Sequence, residues 1–553
     1  MSWSKLSRWF APLGAALIWV SLLLLFAFLD LRRPHGGVFE LLRAGVMKGN
    51  GQAFGISLVV REVLPLYGAT ALIAWAWTHG WTLLFAGRKQ AETWSWAWAL
   101  GITLGALGWV HLFLWWQVPT TLWIFPGIDR VPFWLLFPIL ALVFTLPLGI
   151  WARKHMALEP GRHIGLVVIA LSGWVGLGAL PLMVREQVHA APRPTAGHPA
   201  KLVLLGIDGC REDMAVQEGL ERLQGIRFPN AYTPAPATRL LFHMLWGGDP
   251  EVYSIGHAIP SLEEMNGHVP LKLLDDARAK GIKVRFYIDD GGTIGLAGRT
   301  DLFDEVLMPA RGWENFVNSN LAVRIPLFAV WLDTLRLFPT TTPWASLDLG
   351  LRTALNHGRG SDWVTFHSCL AHQPVYLTRN ELGEIPGWWR RSPSHFRPYG
   401  SWGALPESEV PGWLPERNPS HAYRLRLRSL MKAWEPIWNQ LASDPDYKDS
   451  VRIFFSDHGE RFYHVAPQVQ LSGVHGMDLN PWETRVPLIV WGPGMDAFKD
   501  ETRRKKAVNL LEIRDLAERV VLRGEPFRYD MLGTWPFSAS YYHTLNVDFL
   551  RPS

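Results

Sequence analysis

A chain of 553 residues exceeds what one hydrophobic core organises, and with 48% hydrophobic against 19% charged residues it is too apolar for a purely water-soluble enzyme. Part of it is expected to sit in lipid. The net charge of +5 is small and mixed in sign, which favours a solvated or phospholipid-facing surface over a nucleic-acid partner.

Five stretches without Asp, Glu, Lys or Arg follow one another, at about residues 9 to 29, 63 to 86, 94 to 117, 131 to 152 and 163 to 184. About 20 helical residues at about 1.5 Å of rise cover the ~30 Å apolar layer, so each stretch spans it once. The first lacks a small-residue cleavage site and four more spans follow it, so it reads as an anchor. Lys5, Arg8, Arg88, Lys89, Arg153, Lys154 and Arg162 flank the spans on one side, which is expected to be cytoplasmic. Residues 30 to 62, with Arg32, Arg33, Arg43, Lys48 and Arg61, break this pattern, as longer loops do. An odd number of spans puts the remainder of the chain outside. The expectation is a transmembrane domain of five helices over 1–187, a Pro- and Gly-containing linker over 188–200, and an extracytoplasmic domain over 201–553.

In that last part strands and helices alternate. Apolar runs beginning at Leu202, Ile282, Asp362, Val451 and Val486 read as buried strands. The stretch from Val269 to Gly281 reads as a helix with Pro270 in its first turn and Gly281 past its end. Such alternation predicts a mixed, mainly parallel sheet with helices on both faces and a site at the carboxyl ends of its strands. Asp208, His372, Asp457 and His458 all fall just beyond such ends. A carboxylate and an imidazole side by side, as at Asp457 and His458, can hold one metal ion together, and Gly459 lets the backbone pass close to it. Asp289 and Asp290, ahead of two glycines, read as a turn at a strand end. The two cysteines, Cys210 and Cys369, form either a disulfide or two buried thiols, and no CxxC supports a thiolate zinc site.

Each residue also has a plainer reading. The plain reading of Thr238 is a helix cap, of Asp457 and His458 a turn pair, of His372 and His475 packing histidines, and of Arg239 half of an ion pair. Residues 311 to 345 suit either a helix at the membrane interface or a buried core helix. Residues 384 to 420, rich in Trp, Pro, Arg and Gly, suit either a rim loop stacking on sugars or an irregular excursion.

Taken in order, Asp208-Gly209, Thr238-Arg239 running to Gly247-Gly248, His372-Gln373-Pro374, Asp457-His458-Gly459-Glu460, His475-Gly476 and Pro493-Gly494 resemble the sulfatase-like branch of the alkaline phosphatase superfamily. Five spans followed by such a domain is similar to the bacterial phosphoethanolamine transferases and lipoteichoic acid synthases, which move a phosphoalcohol from a phospholipid to an envelope acceptor. The resemblance implies an alkaline-phosphatase-like α/β domain in the periplasm behind a multi-pass anchor in the bacterial inner membrane. It implies Thr238 as nucleophile, passing through a phospho-threonine intermediate. One divalent metal ion, zinc or manganese, would be held by Asp208, Thr238, Asp457 and His458. His372 and His475 would contact phosphate or protonate the departing alkoxide, and Arg239 would hold a phosphate oxygen. The implied partners are a phospholipid donor carrying ethanolamine or glycerol, an envelope glycan or lipid acceptor, and the bilayer.

Departures from the pattern narrow this. Sulfatases proper carry Cys or Ser in a Cys-x-Pro-x-Arg motif where this chain has Thr238, so sulfate ester hydrolysis is not expected. Ser368 stands where two-metal relatives have an aspartate, which argues against a second metal. Two cysteines, and Asp208 as first ligand, differ from the lipid A type of transferase. A phosphodiesterase on the same fold, or a non-catalytic envelope-assembly scaffold, are the competing readings.

Overall fold

The computed structural model describes residues 10, 12–23, 25, 59–86, 96–124, 128–155, 160–191, 198–248, 270–289, 300–308, 326–336, 346–372, 375–396, 420–460, 481–495, 498 and 500–533. The chain divides into two compact units, the first made of Met1–Gln187, Val317–Leu337 and Tyr376–Arg397, the second of Val188–Phe316, Phe338–Val375 and Pro398–Ser553.

The first unit is helical. Its elements are α1 (Pro12–Leu23), α2 (Leu64–Ala86), α3 (Trp96–Gln117), α4 (Phe133–His155) and α5 (Pro160–Ala190). These fall on the five apolar stretches of the sequence. Among the described residues, one segment, Val167–His189 within α5, is long and apolar enough by itself to cross a membrane, with a mean hydropathy of 2.1. Pro12–Leu23 and Phe133–Leu146 are shorter apolar helical segments among the described residues. Their outer faces are apolar: Trp134, Leu135, Ile139, Leu142, Val143, Leu146 and Ile150 are all exposed along α4. An apolar stripe of that length left open to water would be costly, and lipid removes the cost.

Two later stretches of chain return to this unit. The helix Pro326–Arg336 buries Leu327, Phe328, Ala329 and Val330, and its Asp333 lies 3.4 Å from the Arg185 guanidinium of α5, with both side chains buried. The expectation of an interfacial or core helix within 311 to 345 is met by a helix whose Leu327 to Val330 are covered and whose Trp331 is half-buried; the flanking residues of that stretch lie outside the described part. Replacing Asp333 by alanine strands the buried Arg185 charge, so we expect a loss of about 3 kcal/mol or more, read as a lower melting midpoint in detergent. The second return, residues 376–397, carries a short helix, Arg379–Gly383, fixed by a capping box in which Thr378 and Glu381 hold each other's backbone N–H.

The second unit is built on a seven-stranded sheet. Its strands, with a separate pair, are β1 (Leu202–Ile207), β2 (Ile226–Arg227), β3 (Ala231–Tyr232), β4 (Val284–Ile288), β5 (Glu305–Leu307), β6 (Trp363–Ser368), β7 (Val451–Ser456), β8 (Leu488–Trp491) and β9 (Val508–Asn509). The order is β2-β8-β7-β1-β6-β4-β5, with β3 and β9 paired apart from it. From β7 to β5 all neighbours are parallel; β8 runs antiparallel to β7, and β2 antiparallel to β8. The sheet is thus mixed and mainly parallel. β1, β6 and β7 are buried at every residue, which is why they read as continuous apolar runs rather than alternating ones. One core lies against Phe242, Trp246 and Phe286 on one face of the sheet, and a second against Tyr423, Trp434 and Trp438 on the other.

Boundaries differ from the sequence reading in instructive ways. The helix expected from Val269 begins at Lys272, two residues past Pro270, and the Leu273 N–H donates to the Trp246 carbonyl, so the entry to this helix is set by a distant segment. Gly281, at φ +68°, ends it as expected. Cys210 and Cys369 are both buried free thiols.

Candidate metal centre

The parallel register explains the site. Ile207 of β1 pairs with Ser456 of β7, so the next residue on each strand, Asp208 and Asp457, leave the sheet side by side. Hydrogen bonds then tie the two exits together. Gly209 N–H donates to Asp457 Oδ1 at 3.2 Å, and Cys210 N–H donates to Ser456 Oγ at 2.8 Å. The Ser456 hydroxyl lies 2.6 Å from the carbonyls of both Ile207 and His458 and donates to one of them. His458 Nδ1 faces the Gly459 carbonyl at 2.8 Å. A carbonyl can only accept, so Nδ1 carries the proton and Nε2 is turned inward as the ligand atom.

Thr238 arrives from a third direction. It is the first residue of the helix Thr238–Leu245, and the N-cap position is Ala237. The Thr238 side chain makes no capping bond. Its hydroxyl instead lies 3.3 Å from His458 Nε2 and 3.5 Å from Asp208 Oδ2. His458 Nε2 is also 3.2 Å from Asp208 Oδ1 and 3.6 Å from Asp457 Oδ2. Ligand-type groups of four residues therefore gather at one place, all buried.

These separations test whether a metal fits. Bonds of about 2.0–2.1 Å to one cation put neighbouring ligand atoms about 3 Å apart or a little more; the contacts given, 3.2 to 3.6 Å, are of that size, and ligand atoms of Asp208, Asp457 and His458 all lie within 4.8 Å of one another. Asp208 Oδ1 and Asp457 Oδ2 receive no aligned hydrogen bond, although both are fully buried. Buried carboxylate oxygens left in that state are costly unless a cation meets them. The donor set fits.

The electrostatics say the same. Burial works to raise the Asp208 carboxyl, but the charges of His372, His458 and His367 outweigh it and hold Asp208 well below the usual carboxylate range. Asp457 is pushed up by burial and by Asp208, yet the imidazoles of His458 and His367 keep it below its ordinary value. Burial would depress His458, but the carboxylates of Asp457 and Asp208 hold it up at about 10. The paired carboxylates demand positive charge at this point, which protons or a divalent cation can supply.

Of the residues singled out in the sequence, the structure brings together Asp208, Thr238, Asp457 and His458. His372 is half-buried four residues beyond the end of β6 and close enough for its charge to act on Asp208. Arg239 is the second residue of the Thr238 helix, and its side chain lies outside the described part, as does all of His475.

Three residues were not anticipated. His367, one of 19 histidines, is fully buried, with Nε2 3.4 Å from Asp457 Oδ2 and 3.9 Å from Asp208 Oδ2. Burial lowers its pKa, but the Asp457 and Asp208 carboxylates outweigh this and raise it. Its signal was the glycine facing it: Gly206 pairs with His367 across β1 and β6, and a Cβ there would come within 2.5 Å of the imidazole Nδ1. Tyr423 fixes the exit loop, its hydroxyl donating to the Gly209 carbonyl at 2.7 Å and accepting from Arg211 N–H at 2.8 Å. Asp289, read as a turn residue, accepts from Ser368 Oγ and from Cys369 N–H, both at 2.6 Å, and so joins the ends of β4 and β6. Asp290 lies outside the described residues. Gly459 also has a different reason from the one expected: its close neighbour is the Trp482 carbonyl, which a Cβ would overlap.

No protein-family model matches the chain, and no curated protein matches it in sequence. Among solved structures it aligns with the C-terminal periplasmic domain of EptC from Escherichia coli in complex with zinc, at 12% identity and TM-score 0.37, over 60% of this chain and 86% of that one. It aligns with the integral membrane lipooligosaccharide phosphoethanolamine transferase A of Neisseria meningitidis at 13% identity and TM-score 0.36, over 72% and 70% of the two chains. The lipoteichoic acid synthase LtaP of Listeria monocytogenes aligns at 11% identity and TM-score 0.38, over 67% and 81%.

Proposed function

We propose that this protein is a membrane-anchored, metal-dependent transferase of phosphoalcohol groups, with residues 1–187 as a five-span anchor and 201–553 as an extracytoplasmic catalytic domain. The observation that carries the reading is the spacing of Asp208, Thr238, Asp457 and His458, a buried two-carboxylate, imidazole and hydroxyl set with contacts of 3.2 to 3.6 Å. A scaffold without turnover has no need of a hydroxyl in that set. Zinc and manganese both suit these ligands.

When bound, the cation would lower the pKa of the Thr238 hydroxyl and neutralise phosphate charge. Thr238 Oγ1 bonds to phosphorus as its hydroxyl proton leaves, the bond from phosphorus to the diacylglycerol oxygen breaks and that oxygen gains a proton, giving diacylglycerol and a threonine phosphodiester that keeps the headgroup alcohol. The N-terminus of the Thr238 helix, with its unsatisfied N–H groups, faces the same place and favours an anion there. His372 and His475 contact the phosphate or give the departing alkoxide its proton, and Arg239 holds a phosphate oxygen. An acceptor hydroxyl on an envelope glycan or lipid then takes the phosphoalcohol and returns Thr238 to its starting state.

The orientation is supported by where the chain returns. Residues 376–397 meet the α3–α4 connection, and the helix Pro326–Arg336 meets the C-terminal end of α5, which are the ends assigned to the outside by the charge pattern. The test is diacylglycerol release from fluorescent phosphatidylethanolamine or phosphatidylglycerol by detergent-solubilised protein supplied with zinc or manganese. Release abolished by chelation identifies the donor. No release from either lipid by folded, metal-bound protein sinks the donor chemistry, and water-dependent cleavage of a soluble phosphodiester would then establish a hydrolase.

A further inference from the structure

Among the described residues, every exposed large hydrophobic side chain lies between residues 10 and 188, with one exception, Trp389, which is 45% exposed. A single exposed tryptophan is unremarkable in itself. Its position is not. Gly387, at φ +67°, turns the chain into one tight 3-10 turn, Trp388–Arg390. Trp388 packs edge-on against Phe133 with centroids 5.2 Å apart, and Phe133 N–H donates to the Arg391 carbonyl at 2.8 Å. Phe133 is the first residue of α4, and the exposed apolar stripe of that helix starts at the next residue, Trp134.

The same segment is held at the neighbouring helix end. The Arg379 guanidinium lies 3.4 Å from the ring centroid of Trp116, in the last turn of α3, and Thr120 Oγ1 donates to the Leu377 carbonyl at 3.2 Å. Residues 376–391 are therefore fastened at the level where the lipid-facing stripe stops. At that level an amphipathic ring favours the headgroup boundary, and a guanidinium favours lipid phosphate. Trp389 and Arg390 are both exposed there, with the Arg390 guanidinium 4.6 Å over the Trp389 ring, and Arg391 follows half-buried.

We propose that the Trp388–Arg391 turn is a membrane foot: Trp389 enters the headgroup boundary of the bilayer that surrounds α4, and Arg390 and Arg391 take the phosphates of its lipids. Of the stretch from 384 to 420, residues 397 to 419 lie outside the described part, and the turn that carries this tryptophan is fixed to a helix end of the first unit. The inference rests on the reading of residues 1–187 as membrane-embedded and is independent of the chemistry at Thr238.

The test uses full-length protein in liposomes, with Trp389→Cys, Leu142→Cys and Arg523→Cys each labelled by an environment-sensitive fluorophore; Cys210 and Cys369 are buried and do not compete. Leu142 reports on the α4 stripe and Arg523 on exposed surface of the second unit. Expected is quenching of the label at position 389 by shallow spin-labelled lipid, with iodide quenching several-fold weaker than at position 523. That lipid quenching rises with the phosphatidylglycerol fraction, and adding Arg390→Ala removes the rise. A label at 389 as open to iodide as that at 523, while 142 is quenched by lipid, overturns the foot. If 142 is open to iodide as well, the membrane reading of the first unit falls and takes the foot with it.

Discussion

Replacing Thr238 by alanine is expected to lower phosphoalcohol transfer about a thousandfold or more, roughly 4 kcal/mol of transition-state stabilisation at about 1.36 kcal/mol per factor of ten. The fold should barely notice. Thr238 occupies the first helical position, and its side chain caps nothing, so its removal leaves the helix start intact. Three of the four ligand-type groups remain, and metal content should fall only in part. Thr238→Ser keeps the hydroxyl and is expected within about tenfold of the parent rate, since only a methyl group is lost. The measurements are diacylglycerol release, metal content and melting midpoint on the same preparations. An alanine variant that still turns over at the parent rate removes Thr238 from the mechanism. Equal losses for Ser and Ala, with melting lowered in both, would assign it to packing.

Gly459→Ala should have the largest effect on stability among single-atom changes near the site. The Gly459 N–H donates to the Glu483 carbonyl at 2.7 Å, and a Cβ would overlap the Trp482 carbonyl oxygen of the same crossing strand of backbone. Backbone cannot swing aside as a side chain can, so relief requires the Asp457–Gly459 turn and residues 482–483 to separate. We expect a loss of about 2–4 kcal/mol, together with reduced metal content because His458 is the residue displaced first. Gly383→Ala, at the end of a helix with nothing near its Cβ position, serves as the control and should be neutral or slightly stabilising. Equal melting of the Gly459 variant and the parent would show that the two backbones are not in contact.

Much of this was legible from the chain because parallel strands buried on both faces write themselves as uninterrupted apolar runs. Leu202, Trp363 and Val451 each open a strand within a residue or so of where the runs suggested, and a carboxylate directly after such a run is already a pointer to the crevice at the strand ends. What the runs do not carry is register. That Ile207 meets Ser456, and so that Asp208 meets Asp457, follows from pairing across the whole domain and has no local signature. His367 was missed for the same reason, since its partner is a glycine on another strand. The helix Pro326–Arg336 read equally as interfacial or core because its composition is the same in both settings; the buried Arg185–Asp333 contact decides where it goes. The cap alternative for Thr238 arose because threonine before a helix commonly is one, and the distinction from the first helical residue is a matter of one position.

The pairing of β1 with β7 has a consequence in time. The Gly209 to Asp457 hydrogen bond closes a separation of 248 residues. At a synthesis rate of about 5–20 residues per second, Asp208 exists for roughly 12 to 50 seconds before its partner carboxylate has been made. Throughout that interval the nascent chain carries a lone aspartate and a lone threonine, neither of which holds a metal ion tightly. Metal capture is thereby postponed until nearly the whole sheet is present, and a chain truncated before residue 457 never acquires the centre.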